Sequence, residues 1–350
     1  MMPDSNRSVV CGVDTHKDQH VAVVLDATGQ LLGQRSFATN SSGYSSLLDW
    51  CMTFGSIAAI GIEGSGSYGA GLNRHLTARR VVVHEVMSPK RQTRRRHGKS
   101  DSIDAEAAAR TVLAGHDLIT PKSADGHVET MRALRLTRHS AIKSRDSATN
   151  QLHALIVTAD DDLRQRFASL PIAKIVALIL DDGRFVDPAD GYLRAMSSLA
   201  GRWRQLDNEA KELARALTEL VAQSAPAGLL DEQGVGSDVA AALMIAAGDN
   251  PHRLRSEASF AALCGVSPLD ASSGKQQRHR LNRGGNRDAN MALWRIVLVR
   301  LRWDPVTRCY LDRRIAEGKT KREAIRCLKR YIARDIYKIL TGTRTPQLAT

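Results

Sequence analysis

The sequence predicts an α/β domain at the N-terminal end, a long helical middle and a mainly α C-terminal domain. Three observations predict it. The first 86 residues alternate β-rich runs with turn signals, from residue 129 apolar positions recur at helical spacing, and a Gly-x-Gly pair at Gly234 and Gly236 separates helical stretches ahead of a strongly basic end.

Residues 9–14, 20–26 and 31–38 are β-rich runs separated by Thr15-His16-Lys17-Asp18 and Ala27-Thr28-Gly29, which carry turn chemistry. They read as a three-strand meander. A helix-like stretch with Leu47, Leu48 and Trp50 leads to an apolar strand at 57–63, a glycine-rich turn, a helix at 72–79 and a further strand at 81–86. Antiparallel strands followed by strand-helix-strand alternation predict a mixed sheet flanked by helices. Residues 129–159 and 189–223 then read as long helices. In the second, Leu199, Trp203, Leu206, Ala210, Leu213, Leu217 and Leu220 step by four and three, a heptad seam that suits either a hairpin within the chain or pairing between chains. Residues 238–247 and 286–340 are predicted helical. The expected domains are therefore 8–125, 126–225 and 226–340.

With 350 residues, 43% hydrophobic and 25% charged, the chain has ordinary globular composition and room for two or three domains. Aromatic residues make up only 4%, which disfavours a binder built on base-stacking platforms. The charge is unevenly placed. Residues 271–340 hold 19 Lys and Arg against 6 Asp and Glu, so this segment accounts for the whole formal +13 and the rest of the chain is neutral. Such a concentrated basic segment is the footprint of a polyanion binder, because each neutralised phosphate releases condensed counterions. Cys11, Cys51, Cys264, Cys309 and Cys327 form no CxxC pair, which argues against a zinc site or a disulfide framework. No apolar run approaches 18 residues and no signal-peptide pattern is seen, so a soluble, cytoplasmic, nucleoid-associated protein without a membrane partner is expected.

Two sets of residues carry chemistry. Asp14 and Glu63 each end an apolar strand, where a buried acid is costly unless a positive group such as a divalent metal compensates it. Asp101 and Asp104, spaced i, i+3, share one face of an alanine-rich helix. Four carboxylates in strand, strand, helix order are what a ribonuclease-H-like sheet would gather to hold two Mg²⁺ ions roughly 3.5–4 Å apart. The basic run containing Arg94, Arg95, Arg96 and Lys99 would meet a phosphate backbone beside them. The second set is Ser272-Ser273-Gly274-Lys275 followed by Arg278, Arg280, Arg283 and Arg287, a hydroxyl on a glycine-flanked loop among cations that can stabilise charge developing on phosphorus. Gly234 and Gly236 resemble the turn of a helix-hairpin-helix module, whose glycines let backbone N–H groups approach a DNA phosphate.

Taken together, Gly12-Val13-Asp14-Thr15-His16-Lys17, Gly61-Ile62-Glu63, Lys99-Ser100-Asp101-Ser102-Ile103-Asp104-Ala105, Gly234-Val235-Gly236, and Ser272-Ser273-Gly274-Lys275 with Asn282-Arg283-Gly284-Gly285-Asn286 resemble the DEDD transposases of the IS-one-ten family of insertion sequences, over nearly the whole chain. The resemblance implies a RuvC-like N-terminal domain with Asp14, Glu63, Asp101 and Asp104 as Mg²⁺ ligands, a coiled-coil middle and a C-terminal transposase domain. It places the essential serine on Ser273, with Ser272 as the substitute. It further implies a recombinase of double-stranded DNA acting as a dimer or tetramer, through a phosphoserine linkage, with a structured noncoding RNA from the element as guide. Many relatives carry a Lys-Arg-Gly-Asn type sequence after the serine loop, where this chain has Arg283-Gly284-Gly285-Asn286. Competing readings are a RuvC-like Holliday-junction nuclease using the carboxylates alone, a non-catalytic helix-hairpin-helix DNA-binding protein, and an actin-like kinase suggested by Gly12-Val13-Asp14-Thr15.

Overall fold

A computed structural model describes residues 7–87, 100–116, 118–186, 190–274 and 279–343. Arg94, Arg95, Arg96, Lys99, Lys275 and Arg278, named above as nucleic-acid contacts, lie outside the described residues. The sheet is built from β1 (Ser8–Thr15), β2 (Gln19–Asp26), β3 (Leu31–Ala38), β4 (Ser56–Glu63) and β5 (Val83–Val86), in the spatial order β3-β2-β1-β4-β5. The first three strands form the expected antiparallel meander. β4 lies parallel to β1, and β5 parallel to β4. Strand connections of the second kind need a crossover, and the helices α1 (Ser41–Met52) and α2 (Ala70–Ala78) supply it.

Alternation along β1 decides what covers each face. Val9, Cys11 and Val13 point toward α1 and α2, packing with Leu47, Leu72 and Leu76. Val10 points the other way, where Ala105, Ala108, Ala109 and Val112 of α3 (Asp101–Ala114) form a second small core. Gly12 and Gly61 are partners in the β1–β4 register and lie beneath α3. A Cβ at residue 12 would overlap the carbonyl oxygen of Ala105 and the amide nitrogen of Ala109, and one at residue 61 would stand 2.7 Å from Val112 Cγ2. The paired glycines thus let an alanine-faced helix rest directly on the strand backbones.

The middle of the chain is a helical hairpin. α4 (His127–Thr158) and α7 (Gly191–Ser224) pack along each other, and their direction is antiparallel. Met131 shares a core with Leu217 and Val221, whereas Leu152 and Ile156 share one with Met196 and Ala200. The heptad seam faces this partner within the chain. Trp203, Ala210 and Leu217 are buried, while Leu199, Leu206, Leu213 and Leu220 are half-buried. α5 (Asp161–Phe167) and α6 (Ile172–Asp181), which the sequence reading did not resolve, cap the far end with Phe167, Ile175 and Ile179.

The C-terminal region gathers around the mostly apolar α8 (Ser237–Ala247), with α9 (Glu257–Leu263), α10 (Arg287–Trp303), α11 (Pro305–Ala316) and α12 (Lys321–Leu340). Arg135 of α4 is buried against it, with Nε 3.1 Å from Asp238 and Nη1 3.1 Å from Asp288. Among the described residues no helix is long and apolar enough to cross a membrane.

Candidate active site

Asp14 and Glu63 stand at neighbouring positions because β1 and β4 run parallel with Val13 opposite Ile62, so their C-terminal ends finish side by side. Thr15 ties the two ends together, its hydroxyl donating to the Glu63 carbonyl oxygen at 2.7 Å. Gly64 follows with φ +72°, a left-handed turn that takes the chain sharply away from the carboxylate. On the third element, Ser100 caps α3 by accepting from the Ile103 amide. That places Asp101 and Asp104 in the first helical turn, where the helix dipole favours negative charge. Asp104 is buried and Asp101 exposed.

Of the four acids, Asp14 and Asp101 come together in one group, and Glu63 and Asp104 lie near enough to act on Asp14 through their charge. Asp14 is 7% exposed, and its carboxyl is held above the ordinary value, first by burial and further by the charges of Glu63, Asp101 and Asp104, with His16 acting in the opposite direction. An acid that feels three other carboxylates in this way lies in an acidic pocket. His16 is the residue that sequence reasoning did not assign to the site. Its Nε2 lies 3.1 Å from Asp14 Oδ2 and 3.3 Å from Asp101 Oδ1. Ligand atoms of Asp14, His16 and Asp101 lie within 4.8 Å of one another, close enough to hold one metal ion. The available signal was its position two residues beyond Asp14, which in extended chain puts both side chains on one side. Hard carboxylate oxygens in excess, with one imidazole, form a donor set suited to a small divalent cation.

The serine loop is a separate feature. Leu269 and Asp270 pair with Arg280 and His279 in a short hairpin, β6 (Leu269–Asp270) and β7 (His279–Arg280), with Ser272 and Ser273 exposed near its tip. Asp270 Oδ1 accepts from the Ser272 amide at 2.8 Å. The loop is anchored at its base. Gly285 sits so close to Gly265 that a Cβ there would overlap the Gly265 amide, and Asn290 Nδ2 donates to the carbonyls of Cys264 and Gly265 at 2.8 and 3.2 Å. Asn286 caps α10 by accepting from Ala289. Of the motif Asn282-Arg283-Gly284-Gly285-Asn286, therefore, Gly285 and Asn286 shape the loop, while Arg283 and nearby Arg280 and Arg287 are exposed. Gly234, with φ +90°, faces α10, where a Cβ would stand 3.1 Å from Ile296 Cα, whereas Gly236 opens to free space.

A sheet of this order, with acids ending two neighbouring parallel strands and an acid-bearing helix laid across them, is consistent with the RuvC-like class. The chain belongs to the IS110 family of transposases. Residues 11–159 match the family described as the DEDD transposases of IS110, and residues 228–312 match the transposase family IS116/IS110/IS902. It is 30% identical over 154 residues to the insertion element IS110 uncharacterized 43.6 kDa protein of Streptomyces coelicolor, covering 43% of this chain and 38% of that one. It is 28% identical over 179 residues to the transposase for insertion sequence element IS1328 of Yersinia enterocolitica, covering 50% of this chain and 51% of that one. The matched stretches thus span about half or less of the curated relatives' lengths.

Proposed function

We propose that this protein is a DNA transposase and recombinase that breaks and rejoins phosphodiesters using a carboxylate-bound metal centre and a nucleophilic serine. The observation that carries the reading is the convergence of Asp14, Glu63, Asp101 and Asp104, drawn from two strands and one helix, into one negatively charged pocket. These residues would hold the divalent metal, Mg²⁺ and two ions in the fullest form of the reading, which supplies Lewis-acid stabilisation of charge developing on the phosphate oxygens. Asp14 and Glu63 are fixed by the strand ends and Asp101 and Asp104 by the capped helix, so the donors are set before DNA arrives.

In the transfer step Ser273 Oγ forms a bond to phosphorus while the bond from phosphorus to one sugar oxygen breaks. The serine proton passes to solvent, and the sugar oxygen takes up a proton as it leaves. Rejoining reverses this, with a sugar hydroxyl attacking the phosphoserine and Oγ departing. Arg280, Arg283 and Arg287, exposed around the loop, would pair with the phosphate oxygens. The same reading takes residues 8–125, 126–225 and 226–340 as catalytic, coiled-coil and transposase domains, and the Gly234–Gly236 turn as a helix-hairpin-helix phosphate contact. Its partners would be double-stranded DNA, further copies of the chain as a dimer or tetramer, and an element-encoded guide RNA.

The test is covalent trapping. The full chain is incubated with Mg²⁺, the noncoding transcript from beside this reading frame and a plasmid carrying the flanking DNA, and is then denatured. The expected result is protein linked to DNA for the parent and Ser272→Ala but not for Ser273→Ala or Asp14→Ala. Cut DNA with no linked protein would establish hydrolysis by the carboxylates alone. DNA binding without any cutting would leave a non-catalytic binder.

A further inference from the structure

A cleft of about 1530 Å³ opens between α10, α11, α12 and the serine hairpin, and none of the four acids lines it. This is larger than an ordinary small-molecule pocket. Among the described residues nine Lys and Arg line it against two Glu. Some of the cations have partners nearby. Arg330 pairs with Glu257, Arg326 with Glu323, and Lys329 donates to Asn290 Oδ1 at 2.6 Å. Arg280, Arg283, Arg287 and Arg322 form no ion pair among the described residues, so the cleft keeps a net positive wall.

The same walls carry exposed apolar side chains. Leu281, Met291, Trp294 and Tyr331 all line the cleft, and Trp294 and Tyr331 are 39% and 46% exposed. Tyr331 is held edge-on to Tyr310, their centroids 5.7 Å apart, and Arg334 lies 5.4 Å from its centroid. Trp294 makes no ring or cation contact among the described residues. Four large apolar groups standing open in a cationic cleft need an occupant that brings both negative charge and flat apolar faces. A duplex presents its phosphates outward and keeps its bases stacked inside, so it would satisfy the arginines and leave the rings bare. An unpaired strand offers both at once.

We propose that this cleft binds an unpaired stretch of polynucleotide, with bases stacked on Trp294 and Tyr331 and phosphates held by Arg280, Arg283, Arg287 and Arg322. The inference extends the transposase reading by assigning a single-strand site to the C-terminal helices, and it requires no catalysis. Ala271, two residues before Ser273, lines the same cleft, so a strand lying there would pass close to the serine loop.

The experiment measures binding in EDTA, which separates it from the cutting reaction. Full-length protein is titrated against fluorescein-labelled dT20, U20 and a 20-base-pair duplex at several salt concentrations. Trp294→Ala and Tyr331→Ala are expected to weaken single-strand binding on the order of tenfold, while duplex affinity stays within about twofold. Trp294→Phe, which keeps a ring, should restore most of the loss and shows that folding is intact. Arg322→Ala should instead weaken binding and flatten the salt dependence. The tighter of dT20 and U20 identifies the source as DNA or RNA. Unchanged single-strand affinity in both ring variants, equal losses for duplex and single strand, or a change in oligomeric state in place of binding would overturn the proposal.

Discussion

Gly12 of β1 and Ala105 of α3 approach so closely that no side chain fits between them: the space a Cβ at residue 12 would need is filled by the Ala105 carbonyl oxygen. Because Asp101 and Asp104 sit on the turn just before that contact, the height of the helix above the sheet sets how near they come to Asp14.

Gly12→Ala is therefore expected to lift α3 and spread the acids. Inserting a methyl into such a contact costs about 1–3 kcal/mol. Thermal denaturation should show the loss, and Mn²⁺ titration should show weakened binding in protein that is still folded. Gly66→Ala, with nothing within 4 Å of its Cβ, is the matched control and should leave both measurements unchanged.

Crowding at Asp14 carries a second expectation. Burial and three neighbouring carboxylates disfavour its ionised form. Asp14→Asn removes that repulsion and should raise the melting temperature of the metal-free protein, at the expense of the stabilisation that Mg²⁺ gives the parent. Calorimetry with and without Mg²⁺ checks both, and a variant that melts lower than the parent in EDTA counts against a crowded pocket.

Asp238 contributes to stability in acid. Burial pushes its carboxyl up, but the hydrogen bond from Arg135, with the charges of Arg295 and Arg138, outweighs burial and leaves it below the ordinary 3.8. A depressed acid contributes stability that is full above about pH 3.8 and is lost as pH falls through the lower folded value. Asp238→Asn should cost on the order of 2 kcal/mol at neutral pH, since Arg135 is buried and keeps only Asp288. In urea titrations that gap should narrow below pH 3.8 and stay constant above it.

The helical hairpin contains an avoidable weakness. Gly201 lies inside α7 with open space around its Cβ position, so Gly201→Ala should stabilise the protein by about 0.5–1 kcal/mol in chemical denaturation.

The strands were legible because turn chemistry brackets them. The observed β1 to β5 fall within two residues of the runs read from sequence, and Leu31–Ala38 coincides. The heptad seam likewise marked α7, though its spacing alone could not choose between a partner in the same chain and one in another. In the structure α4 of the same chain lies along the seam. The acids were visible as strand-ending and i, i+3 carboxylates. What brings them together was not, because Gly12 and Gly61 read as unremarkable strand residues until a helix lies on them. The cleft was hidden for a different reason. A low aromatic content describes the chain as a whole, whereas Trp294, Tyr310 and Tyr331 come from three helices and meet only after packing.

The segment joining sheet to helices is pinned along its length. Lys122 Nζ donates to the Ile245 carbonyl at 2.6 Å, Asn250 Nδ2 to that of Pro121 at 3.0 Å and Asn73 Nδ2 to that of Lys122 at 2.9 Å, while Asp249 accepts from the Val128 amide at 2.9 Å. Four bonds within eight residues leave this joint no slack, so it works as a bracket and not as a hinge. On the proposed reading, the travel needed to bring a scissile bond from carboxylates to serine is then made by the incoming strand or by a neighbouring copy of the chain, while each protomer keeps its shape.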